Sequence, residues 1–138
     1  MTWEQAKADA QETEMAIARL IPQDQVANID QHESGSLFSC DETRHQWTGI
    51  TYVTLAPGSD VEGIVKEMQG RLDEVLRTST DFKVTSYRDM FDDYTVEAQA
   101  RASAEAYLFG ADDDKVISIE SWSVCFTLPE GVYPGGKF

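Results

Sequence analysis

The side chains with the most reactive potential in this chain are few. There are two cysteines, Cys40 and Cys125, two histidines, His32 and His45, and two acidic clusters, Asp89/Asp92/Asp93 and Asp112/Asp113/Asp114. A cysteine close to a histidine can form a thiolate–imidazolium couple, and Cys40 and His45 are near enough in sequence to pose the question. Two cysteines far apart, without a CxxC pair and with few histidines, fit one disulfide better than a metal site. Joined, Cys40 and Cys125 close a loop of about 85 residues, worth roughly 4–5 kcal/mol in the chain-entropy account. The alternative is two buried, unpaired thiols in a cytosolic protein. A disulfide removes the thiol chemistry and leaves His32 and His45 as histidines of polar segments.

The aspartate clusters invite a calcium reading. Calcium needs 6–8 oxygens at a fixed rhythm, with a glycine at the tight turn and a closing glutamate, and neither cluster has that rhythm. Both read as acidic turns. There is no GxSxG around any serine, and Gly58 stands without the further glycines or the lysine of a phosphate-binding loop. No catalytic, cofactor-binding or metal-ligating residue is therefore assigned, and no cofactor is expected. Two other readings stay open. A carboxylate enzyme acting on a glycan would need two carboxyl groups facing each other at about 5–9.5 Å. A carrier of a small apolar ligand would need an enclosed pocket of at least about 300 Å³.

With 25 acidic against 11 basic residues the net charge is −14. That field repels phosphate backbones and anionic headgroups, so nucleic acid is excluded as a partner and cationic or neutral partners are favoured. No stretch approaches the roughly 20 apolar residues of a membrane-spanning helix, and the N-terminus carries no signal-like segment. This fits either a cytosolic protein or the mature part of an exported one; the cysteine pair favours export. Leu37-Phe-Ser-Cys40 has the outline of a lipobox, but the polar run Gln25 to Ser36 before it is not an export segment, so the match is fortuitous.

At the N-terminus, Thr2 with Gln5 forms a capping box. Trp3, Ala6, Ala10, Thr13, Ile17, Leu20 and Ile21 then recur at helical spacing until Pro22. Gln23 to Ser34 reads as a connection, Gly35 to Cys40 as a short strand, and Asp41 to Gln46 as a polar turn. Trp47 to Leu55, rich in Thr, Ile, Tyr and Val, is a strand. Ser59 with Glu62 forms a second capping box and opens a long central helix whose stripe is Val61, Ile64, Val65, Met68, Leu72, Val75 and Leu76. Gly63 and Gly70 lie opposite that stripe and are either neutral or the floor of a close-approach groove. Asp81 to Arg88 is a strand. Tyr94 to Leu108 alternates with period two and gives two strands with a turn near Ala100 to Ala102. Gly110 to Asp114 turns into a central strand, Lys115 to Phe126, with Ile117, Ile119, Ser121, Ser123 and Cys125 on one side and Trp122, Val124 and Phe126 on the other. Trp122, Tyr133 and Phe138 are expected in core and tail packing rather than around a ligand.

The expected fold is a single α+β domain over residues 1–138 with a Pro/Gly-rich tail at 127–138. An antiparallel sheet of about five to six strands would carry the N-terminal helix and the long central helix on one face. Ser36-Leu-Phe-Ser-Cys40, Gln46-Trp-Thr-Gly49, Ser123-Val-Cys-Phe-Thr-Leu-Pro-Glu-Gly131 and Pro134-Gly-Gly136 together resemble a group of small exported proteins and lipoproteins of actinobacteria. The helix Thr2 to Pro22 is similar too. The resemblance implies an extracytoplasmic, cell-envelope or secreted address and a non-catalytic domain that binds a protein or wall component. Contact with the membrane would run only through a lipid anchor outside this chain.

Overall fold

The computed structural model describes residues 1–138. Helix α1, Trp3–Ala18, begins at the cap the sequence marks: Thr2 Oγ1 accepts from Gln5 N–H and the Gln5 side chain accepts from Thr2 N–H. Strand β1, Val26–Gln31, follows, then β2, Ser36–Ser39, and the 12-residue β3, Arg44–Leu55. Helix α2 spans Val61–Gly70. Four strands in sequence complete most of the sheet: β4, Phe82–Arg88; β5, Tyr94–Ala100; β6, Ala106–Ala111; and β7, Val116–Trp122. The short β8 is Phe126–Thr127.

All pairings are antiparallel, in an eight-stranded sheet ordered β1-β3-β7-β6-β5-β4, with β2 and β8 also bonded to β3. After β3 the chain crosses through α2 to the far edge, then returns strand by strand until β7 meets β3. Both helices lie on one face. Ile17 and Ala18 of α1 and Ile64, Val65 and Met68 of α2 pack on Val53, Val96, Ala98, Phe109, Ile117 and Ile119. This is the α+β arrangement expected, with apolar residues of one parity buried and the other parity facing outward.

Four expectations need correction. The sheet has eight strands rather than five or six. Gln23 to Ser34 is not merely a connection, because it holds β1; an edge strand with most of its side chains exposed needs no apolar alternation and so leaves no periodic trace. The central helix is not long. It stops at Gly70, a poor helix former, and a 3-10 turn at Leu72–Glu74 still delivers Leu72 into the core. Its N-cap is Asp60 rather than Ser59, accepting from Gly63 N–H at 3.0 Å.

The last strand is also interrupted. Trp122 pairs with Thr48 but Phe126 pairs with His45, so one extra residue is accommodated at Ser123 to Cys125. This bulge inverts the alternation and carries Phe126 to the helix side, where it was expected beside Trp122. There it joins a second core with Ala6, Ala10, Trp47 and Phe138. Trp47 is fully buried, its Nε1–H donating to the Phe138 carbonyl at 3.0 Å, and Gly35 N–H donates to the same oxygen. A β-carbon on Gly49 would stand 2.1 Å from the Trp47 ring, so only glycine fits there. Phe138 meets Trp3 edge-on at 5.1 Å, whereas Tyr133 is exposed and Trp122 lies on the opposite side of the sheet, so these aromatics do not gather.

Candidate binding surface

Cys40 and Cys125 are joined, with Cα atoms 6.4 Å apart, linking the end of β2 to the bulge ahead of β8. Cys40 is thus unable to pair with His45 as a nucleophile. His45 stands in β3 with Nδ1 buried and unbonded, and His32 packs against the Tyr52 ring beside Asp30 at 3.6 Å. The aspartate clusters build turns. Asp89 Oδ1 accepts from the N–H groups of Phe91 and Asp93, and Asp113 Oδ1 accepts from Lys115 N–H, each at 2.8–3.0 Å. Asp92 takes the left-handed conformation, φ 64°, that closes the first of these turns. No group of three or more His, Cys, Asp or Glu side chains converges as a metal site.

Gly63 and Gly70 do not form a groove. The atoms nearest a β-carbon at Gly63 would be those of the capping Asp60 carboxylate, and one at Gly70 would meet nothing within 4 Å.

The least expected polar feature is Glu14, fully buried between α1 and the sheet. Its carboxyl accepts from Thr51 Oγ1–H at 2.6 Å, from Ser121 Oγ–H, and from Gln31 Nε2–H at 3.4 Å. Burial raises its pKa above the ordinary 4.5, while the bonds from Ser121, Thr51 and Gln31 pull it back. Glu14 falls between Ala10 and Ile17 in the helical stripe, so a charged residue on an apolar face was the signal that sequence reading passed over. Since every donor around it comes from the fold itself and it is sealed from solvent, it joins α1 to three strands; it presents nothing to a ligand.

The other face of the sheet has no helix over it. Strand register aligns its side chains in rows. One row reads Thr48, Trp122, Ala106, Gln99, Lys83; the next Ile50, Glu120, Leu108, Glu97, Thr85; a third Tyr52, Ser118, Gly110, Thr95, Tyr87. Phe38 of β2, 53% exposed, pairs with Gln46 and continues the apolar part of this surface. Chain alternation alone could separate Trp122 and Glu120 from Ile119; only the pairing shows which residues of other strands they meet.

Three shallow recesses indent this face. One of about 330 Å³ is bordered by Asp89, Thr95, Leu108, Ser118 and Glu120. A second of about 330 Å³ is bordered by Phe38, Thr48, Ile50, Glu120 and Trp122. A third, about 170 Å³, lies between Gln46, Glu97, Ala106 and Trp122. Glu120 and Trp122 are the walls between them. Compared with family models, with curated proteins and with solved structures, the chain matches none.

The electrostatics of this face are one-sided. Half-buried Glu120 has its pKa raised, first by desolvation and then by the neighbouring Asp112 charge, and no hydrogen bond offsets either. The Tyr87 hydroxyl is likewise raised, by burial and then by Glu97, Asp89 and Glu120. By contrast, Glu62 on α2 is held at about 2, chiefly by Arg88 and then Lys66, and Asp41 at about 2 by backbone and Arg44 donors. Glu62 and Asp41 thus have cationic partners, whereas Glu120 and Glu97 in the middle of the open face have none.

Proposed function

We propose that this chain is a non-catalytic binding module of the actinobacterial cell envelope, working outside the membrane. It engages a protein or wall component through the open face of its sheet. The observation that carries this reading is a sheet face bearing Trp122, Phe38, Ile50 and Leu108 beside unpaired carboxylates, with nothing of the chain laid over it. Contiguous apolar surface rimmed by polar groups is the usual mark of an interaction site. The Cys40–Cys125 bond is consistent with an extracytoplasmic location, and no helix is long and apolar enough to cross a membrane. The resemblance to exported proteins and lipoproteins supports the same address, with a lipid anchor in the native form.

A photo-reactive benzoylphenylalanine placed at Ser118 on the open face, and separately at Lys66 on the helical face, tests this in the source organism's envelope. A discrete cross-linked product from position 118 and none from position 66 is the expected result. Equal labelling from both, or none from position 118, would remove the open face as the binding surface.

A second reading, binding of a small apolar ligand, is favoured by a recess of about 540 Å³ between the end of α1 and β1, which is open to solvent rather than the enclosed pocket a carrier needs. The recess is bordered by Ala18, Ile21, Val26 and Ile29. Saturable uptake of a naphthalene dye, lost in Val26→Arg, would support this binding; no uptake would remove it.

A further inference from the structure

The middle row of the open face alternates apolar and acidic side chains across the sheet: Ile50, Glu120, Leu108, Glu97. Of the 11 Lys and Arg residues in the chain, two hold outward-facing strand positions. Lys83 is on the edge strand β4, and Arg44 is at the far end of β3, tied to Asp41 at 2.8 Å. Arg88, the other basic residue within a strand, faces the helices and pairs with Glu62. Glu120 and Glu97 have no cationic partner within the chain, and Glu120 is half removed from water.

Glu120 and Glu97 are two strands apart, with Leu108 between them, which puts their attachment points about 9.6 Å apart at the usual inter-strand spacing. On an α-helix, residues i and i+7 share one face about 10.5 Å apart, with i+3 and i+4 between them on that face. We infer that the open face docks a helical protein segment that presents two basic side chains about 10 Å apart, to Glu120 and Glu97, with an apolar side chain between them over Leu108. This rests on the open face being the binding surface. Charge complementarity favours such a segment over the other occupants: a second copy would bring a like-charged face, and anionic lipid or nucleic acid would be repelled.

The test uses the full chain, isotopically labelled, and three short fluorescein-tagged peptides. One is a helix-favouring peptide with two lysines seven positions apart and a leucine four positions after the first, one has the same composition with adjacent lysines, and one replaces the lysines by glutamates. Fluorescence anisotropy should rank the spaced peptide at least about fivefold above the adjacent one, with the glutamate peptide silent. Amide shifts should centre on Glu97, Leu108 and Glu120. The double variant Glu97→Gln/Glu120→Gln should weaken binding roughly tenfold, while Glu67→Gln/Asp73→Asn, which removes the same charge from the helical side, should change it less than about twofold. Equal losses in both double variants, or shifts scattered over the whole surface, would show general attraction to a polyanion and overturn the inference. A cross-link from position 118 to a partner lacking basic residues would overturn this inference alone; failure of that cross-link would take the open face with it.

Discussion

The two faces of the sheet are made by the same strands yet solve opposite problems. In β7, Ile117, Ile119 and Ser121 point to the helices while Ser118, Glu120 and Trp122 point away. On the helical side even the lone buried carboxyl, Glu14, is fully supplied with donors, and Glu62 of α2 is matched by Arg88 and Lys66. On the open side carboxylates stand beside apolar side chains without counter-charges. Polar satisfaction without cost to solvent is what a core requires, and unmatched charge beside apolar surface is what an associating surface retains. Odd positions of β7 should therefore govern stability and even positions recognition.

The strongest challenge to that division is the disulfide, which belongs to neither face. Cys40→Ser/Cys125→Ser should lower stability by roughly 4–5 kcal/mol in urea unfolding, because the cross-link restricts the unfolded chain. An unchanged midpoint would mean the link contributes nothing to the fold. Next, Ile119→Ala should cost about 2–5 kcal/mol through a cavity at the centre of the covered face. Ser118→Ala, one residue away and facing outward, should stay within about 0.5 kcal/mol. Similar losses at the two positions would erase the distinction between faces.

Glu14→Ala should cost about 1–3 kcal/mol by leaving Thr51, Ser121 and Gln31 facing an empty site. The same residue has a pH signature. Its pKa is raised in the fold, so its stabilising share is complete below the ordinary value of 4.5 and is lost as pH rises through its folded value. Glu14→Gln should flatten that decline, read as the slope of unfolding free energy from acid towards neutral pH. The sign is opposite for Glu62 and Asp41: with pKa values held at about 2, they stabilise above the ordinary carboxylate range, and that share disappears as pH falls towards 2. The smallest expected effect on folding is that of Glu120→Gln, within about 0.5 kcal/mol, since its carboxylate has no partner to lose. A large loss there would show the open face to be structural.

Much of the covered face was legible because burial writes a period into sequence. The α2 stripe and the alternation of Tyr94 to Leu108 gave the helix start and both strands of a hairpin that lacks a glycine at its turn. Where a residue's environment comes from distant chain, the period fails. The polar edge strand β1 borrows its order from β3, and the bulge at Ser123 to Cys125 reverses a parity that local alternation could only extend. The turn between β5 and β6 does the same, sending Tyr107 and Phe109 inward and Ala106 and Leu108 outward. The open face was the least legible part, since its rows join residues from five strands and exist only once the register is set.

Strand β3 has neighbours from both ends of the chain: β1 and β2 on one side, β7 and β8 on the other. Half of its hydrogen-bonding edge stays vacant until residues beyond Val116 arrive. Long-range pairings of this kind make folding slow. A chain emerging from a ribosome or threading through a translocation pore would remain pliable until its last quarter was free, with the Cys40 thiol exposed to any oxidant met on the way. Assembly of the sheet and formation of the cross-link should then occur as nearly one event, late and all at once.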